Sequence, residues 1–170
     1  AGRRADDRAA RQELYKALKY KSEKIEVWRA LAGIHERLKE PANYVRDLRR
    51  VVELDPDDLD ARLKLARLMT GGGAAEAALR LLAVAREGDK PSAELHSIRA
   101  LALLRTNDTA GAILEAQRAF DIDPANSDAI VILASKRVSE SDLDGALKLL
   151  DLVPADSKDG TRATLQKIEI

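Results

Sequence analysis

Apolar side chains recur along this chain at three- and four-residue steps, as in Val27, Leu31, Ile34 and Leu38, and again in Leu63, Leu65, Ala66, Leu68 and Met69. That spacing lays them along one face of an α-helix. Each such set is about 14 residues long and ends at a helix-breaking signal. The signals are Glu40-Pro41, Asp55-Pro56, Gly71-Gly72-Gly73, Gly88-Asp89 and Asn107-Asp108. Pro41 suits the first residue of a helix, where its missing N–H is not needed. Ser141 with Asp144 three residues on resembles a capping box, Asp replacing the usual Glu or Gln. No stretch alternates with a two-residue period long enough to argue a strand. The pattern predicts an all-α chain.

The breaks themselves repeat. Leu54-Asp55-Pro56 and Ile122-Asp123-Pro124 stand 68 residues apart, and the chain breaks again midway at Gly88-Asp89-Lys90-Pro91. A fixed period of 34 residues means stacked repeats and not one closed core. Four blocks follow without insertion: 25–58, 59–92, 93–126 and 127–160. In the first, Trp28, Leu31, Ala32 and His35 match a W-x2-L-G-x2-Y pattern. The same places hold Arg62, Leu65, Ala66 and Met69, then His96, Arg99, Ala100 and Leu103, then Ile130, Leu133, Ala134 and Arg137. Sixteen residues beyond each Trp-type place come Tyr44, Ala78, Ala112 and Ala146.

This set of places resembles the tetratricopeptide repeat family across residues 25–160. The resemblance implies an all-α, right-handed α-α superhelix of about ten helices. Residues 1–24 then form the second helix of a preceding repeat, and 161–170 begin a further one. The chain reads as a piece of a longer bacterial array, with Leu165, Ile168 and Ile170 leaving an apolar end. Four departures stand out: Tyr44 in a place for a small residue, Lys90 in place of a closing proline, and Arg99 and Arg137 in usually buried places.

Composition changes this picture little. The chain has 170 residues, no cysteine and zero net charge. Disulfides, Cys-based zinc sites and a thiol nucleophile are therefore excluded. No apolar run is long enough to span a membrane. The compartment stays open between bacterial cytoplasm and periplasm. Charge is uneven: residues 1–50 carry 14 Lys/Arg against 8 Asp/Glu, or +6, and the rest carries −6. Arg3, Arg4, Arg8, Arg11, Lys16, Lys19, Lys21 and Lys24 read as the solvent coat of a terminal helix. Tyr15, Tyr20, Trp28 and Tyr44 share that basic end and keep single-stranded nucleic acid as a minor option.

Candidate chemistry is sparse. Gly71-Gly72-Gly73 lacks the Lys-Ser/Thr and preceding strand of a phosphate loop, so it reads as a turn. Asp55, Asp57, Asp58 and Asp60 lack the Gly and twelfth-place Glu of a calcium loop; Asp57 or Asp58 reads as a helix cap. His35 and His96 read as core residues, with no second His or Cys beside either. No nucleophile–base–orienter spacing stands out. The expectation is a non-enzyme without metal or cofactor.

The resemblance implies that the first helix of each hairpin, about 25–38, 59–71, 93–105 and 127–139, lines a concave groove. The expected partner-binding residues are Arg29, Arg37, Lys64, Arg67, Ile98, Leu101, Leu104, Arg105, Val131, Ile132 and Ser135, with Val138 beside them. Glu26, Asp60, Glu94 and Asp128 recur every 34 residues as first-turn carboxylates favoured by the helix dipole. The carboxylate clamp of cochaperone repeats is not reproduced. The expected role is a protein-interaction scaffold holding a partner peptide or helix in a bacterial secretion, pilus, envelope or polysaccharide-export assembly. The alternative is the substrate-recruiting arm of an enzyme such as a glycosyltransferase. Monomer or weak end-to-end or swapped dimer is expected.

Overall fold

The computed structural model describes residues 2–20, 24–85, 92–154 and 160–168. Ten helices and no strands are found among them. They are α1 (Gly2–Tyr20), α2 (Ile25–Leu38), α3 (Pro41–Leu54), α4 (Leu59–Gly71), α5 (Ala75–Ala83), α6 (Ala93–Arg105), α7 (Thr109–Ile122), α8 (Ser127–Ser139), α9 (Leu143–Leu150) and α10 (Gly160–Ile168). The break at Gly88-Asp89-Lys90-Pro91, the side chains of Leu165 and Ile168, and Ile170 lie outside the described residues. The chain forms two compact units, Ala1–Leu68 and Met69–Ile170.

One turn is used four times. Lys39, Gly73, Asn107 and Ser141 all have positive φ, between 59° and 85°. Each follows α2, α4, α6 or α8, and each lies 34 residues after the one before. At each, two N–H groups reach back to carbonyls of the closing turn, as Asn107 to Leu104 (3.2 Å) and Asp108 to Leu103 (2.9 Å). This is the Schellman arrangement, which satisfies the orphan carbonyls at a helix end. The residue completing it (Glu40, Ala74, Asp108 or Asp142) is also the N-cap of the following helix. A single residue thus closes one helix and opens its partner. The capping box expected at Ser141 is corrected accordingly. Ser141 closes α8 with φ 62°, and Asp142 caps α9 by accepting from Gly145 N at 2.9 Å.

Between hairpins the chain uses a second device. Asp55 and Asp123 accept from the N–H two residues on, at 3.2 and 3.0 Å, and Asp58 and Asn126 then cap α4 and α8. The cap is thus Asp58, and Asp57 has no such role.

In the first unit Leu31, Ala32, Ile34, Leu48 and Val51 are buried. Tyr44, in its small-residue place, is buried too, and its hydroxyl donates to Glu36 Oε1 at 3.2 Å. In the second unit Ala100, Ala116, Ala119, Ala129, Ile132 and Leu133 form one core cluster. Ile130, Val131, Ala134, Ala146, Leu150, Val153 and Ala163 form another. Arg99 is only half-buried and donates to the Leu82 carbonyl at 2.9 Å; Arg137 is exposed and pairs with Asp142. Neither arginine puts a bare charge in the core.

Candidate binding surfaces

In the first unit the expected cations of the groove are already engaged. Arg29 on α2 donates to Asp55 at 2.9 Å and Asp58 at 2.8 Å. The Asp58 bond is the main reason its guanidinium is held still more firmly protonated. Asp58 in turn titrates below its ordinary value: burial opposes this, but the Ala61 N–H and the Arg29 charge outweigh it. Arg37 pairs with Asp7 of α1 at 2.6 Å, and Lys64 with Asp60 one turn earlier at 2.7 Å. Arg67 is exposed on α4. Arg29 and Lys64 border one small cleft of about 190 Å³ beside Tyr44. Arg29 and Arg37 border a shallower one of about 700 Å³, whose floor is Ala10, Leu14, Ala30 and Ile34. The carboxylates of these pairs occupy donors of three expected contact residues, Arg29, Arg37 and Lys64.

In the second unit the expected apolar floor is largely core. Ile98 is 0 % exposed, Ile132 4 % and Val131 7 %, so these three pack inside and are withdrawn as contact residues. Helix period alone does not separate a groove-facing row from the row beside it that packs on the partner helix. Leu101 and Val138 are half-buried, packed against the two clusters. Leu104 is 37 % exposed, with Arg105 exposed next to it. Ser135 is exposed but accepts from Gln166 of α10 at 2.7 Å while donating to the Val131 carbonyl. What stays available on α6 and α8 is a short strip, Leu101–Leu104–Arg105 with Ser135 and Val138.

An apolar cleft lies across α7, α8 and α9. Ile113, Leu114 and Phe120 of α7, Leu133 of α8 and Leu149 of α9 line a cleft of about 450 Å³. Leu114 is 55 % exposed there. Lys136 and Arg137 stand at its edge, each paired with its own carboxylate, Glu140 at 2.7 Å and Asp142 at 3.2 Å. The sequence signal for this cleft was an extra apolar pair, Ile113-Leu114, where one inward residue suffices.

Both histidines are bound to carboxylates. His35 Nδ1 meets Asp47 at 2.5 Å, with neither side chain exposed, and His96 Nδ1 meets Glu115 at 2.7 Å. Asp47 and Glu115 stand 68 residues apart, at the place where the other two repeats hold Leu81 and Leu149. A charge in a leucine's place was the signal for both pairs. Glu26, Asp60, Glu94 and Asp128 do lie in the first turns of α2, α4, α6 and α8. Gly73 serves as a turn residue. Among the described residues no three His, Asp or Glu converge as metal ligands, and no helix is long and apolar enough to cross a membrane.

Two-helix hairpins repeated at constant spacing, with buried alanines at the same place in each of three repeats, define a helical-repeat protein. The family pattern for the tetratricopeptide repeat matches residues 45–102 of the chain. Solved structures agree on the fold. PilF of Pseudomonas aeruginosa superposes with a TM-score of 0.77 at 17% identity, covering 98% of this chain and 76% of its own. YrrB, described as a TPR protein with an unusual peptide-binding site, gives 0.74 at 15% identity, covering 98% and 85%. MamA from Desulfovibrio magneticus RS-1 gives 0.72 at 17% identity, covering 98% and 89%. No curated protein matches the chain.

Proposed function

We propose that this chain is a non-catalytic scaffold that seats a partner's amphipathic helix in the cleft of α7, α8 and α9. The carrying observation is that cleft: Ile113, Leu114, Phe120 and Leu149 line about 450 Å³ above the buried Leu133, with Leu114 more than half exposed. Exposed apolar concavities of this kind mark protein-binding surfaces. Because Lys136 and Arg137 are neutralised by neighbours on their own chain, binding rests on apolar anchors and not on charge attraction. The partner belongs to a larger bacterial assembly of the secretion, pilus, envelope or export kind, a reading supported by the fold relative PilW, described as a widely conserved type IV pilus biogenesis factor.

Screening a display library of amphipathic helical peptides against the whole chain tests this. A selected peptide should lose at least about 2 kcal/mol of affinity with Leu114→Ala, and its affinity should hold between low and high salt. Leu104 and Arg105 favour a second reading, in which the partner lies along Leu101, Leu104, Arg105 and Ser135 of α6 and α8. In that case Leu104→Ala weakens binding, Leu114→Ala does not, and salt slows association through Arg105. Peptides indifferent to both substitutions would overturn both surfaces.

A further inference from the structure

Three helices bring together what no stretch of sequence contains. Tyr15 of α1 places its hydroxyl 3.2 Å from His35 Nε2 on α2, and His35 Nδ1 meets Asp47 of α3 at 2.5 Å. His35 and Asp47 are wholly buried, whereas Tyr15 is 38 % exposed. Arg46 closes the ring: Nε and Nη2 donate to Asp47 Oδ1 at 2.9 and 2.7 Å, and Nη2 also donates to the Tyr15 oxygen at 3.1 Å. Its guanidinium carbon lies 6.0 Å from the Tyr15 ring centre.

The hydrogen-bond pattern assigns the tautomer. Asp47 accepts, so Nδ1 carries the imidazole proton and Nε2 offers its lone pair to the tyrosine. A hydroxyl on a base, with the base oriented by a buried carboxylate, is the arrangement that prepares a side chain for nucleophilic attack. We propose that Tyr15 is a covalent-modification site, its phenol oxygen capturing a phosphoryl group with His35 as base and Asp47 orienting that base. With a phosphoric anhydride as donor, the phenol O–P bond forms, the anhydride P–O bond breaks, and the remaining phosphate leaves with that bonding pair. The phenol proton passes to His35 Nε2, and the resulting imidazolium stays against the Asp47 carboxylate. An anionic, tetrahedral group is favoured because Arg46 stands half-exposed at the hydroxyl and bonds Asp47 and Tyr15 through Nε and Nη2, which leaves Nη1 for a phosphoryl oxygen. The nearest competing carboxylate, Glu40 at 3.6 Å from Nε2, is held by Arg11 and Asn43.

Modification has a structural consequence. Polar ties of α1 to the hairpin behind it include Asp7–Arg37, Arg11–Glu40, and Tyr15 to both His35 and Arg46. Capture at Tyr15 removes the tie to His35.

An alkyl fluorophosphonate is the probe: its P–F bond breaks, fluoride leaves and a tyrosyl phosphonate remains, read by peptide mass mapping. The folded chain should label at Tyr15 on the order of 100-fold faster than the same chain unfolded in urea, the scale of general-base assistance. His35→Gln with unchanged helical circular dichroism should bring the rate down to the unfolded value. Folded Tyr15 reacting no faster than unfolded Tyr15 overturns the proposal, whatever the variant does. So does a folded His35→Gln chain that labels at the parent rate.

Discussion

The hairpins α2–α3 and α8–α9 use the same register and the same turn, yet they close on opposite chemistry. In α2–α3 the buried apolar residues are joined by His35 on Asp47, tied further to Arg46 and Tyr15. In α8–α9 it is Ile130, Val131 and Ala134 on Ala146 and Leu150, all aliphatic. The repeat therefore specifies backbone places and side-chain volume, not polarity. The two solutions differ in how they fail. An aliphatic interface loses stability in proportion to the contacts removed. A buried polar ring is all-or-none, because losing one member strands another without a partner.

The strongest way to break this comparison is His35→Leu. It leaves the Asp47 carboxylate buried with only Arg46 on it, and should cost about 3–5 kcal/mol in urea unfolding. Changing both, His35→Leu with Asp47→Leu, puts apolar residues at the two places where the second repeat holds Met69 and Leu81, and should recover most of that loss or exceed the parent. A single variant as stable as the parent would mean the ring contributes nothing. In the aliphatic hairpin, Ala146→Leu should overpack a fully buried contact and cost about 1–3 kcal/mol.

Tyr44 sharpens the picture without a change in folding. Burial, then the charge of Glu36, pushes its phenol up to about 12. A raised acid favours its neutral form in the fold, so its contribution is complete below the ordinary tyrosine value of 10.0 and lost as pH climbs through about 12. Phenolate absorbance should show one phase near pH 12 that Tyr44→Phe removes; its persistence would place Tyr44 in water. The smallest effect belongs to the turns. Lys39 and Ser141 hold left-handed backbone that costs a side-chain-bearing residue about 1 kcal/mol. Lys39→Gly and Ser141→Gly should each raise stability by up to that amount, and Gly73→Ala should lower it.

Much of this was legible in the sequence, and for identifiable reasons. Helix boundaries showed because stop signals such as Asp55-Pro56 and Asn107-Asp108 act locally. The first-turn carboxylates and the Gly73 turn showed for the same reason. Lys39 and Ser141 did not, since neither residue type announces positive φ. Burial within the expected groove was not legible. Periodicity tells which residues leave solvent but not whether the cover is the partner helix or a ligand, so Ile98, Val131 and Ile132 were placed in a groove. The pairing of Arg29 and Arg37 has no local sequence sign, because their partners, Asp58 and Asp7, lie about 30 residues away along the chain. Tyr15, His35 and Asp47 became a constellation only when three helices met.

The shared cap residue has a consequence for how such a chain can change length. Because Glu40, Ala74, Asp108 and Asp142 each complete one helix end and start the next, the turn inside a hairpin has no spare position. One inserted residue there would separate the two duties and undo both. The stretches between hairpins carry no such double duty, so residues gained or lost over time should collect there, and whole hairpins should be duplicated or deleted as units.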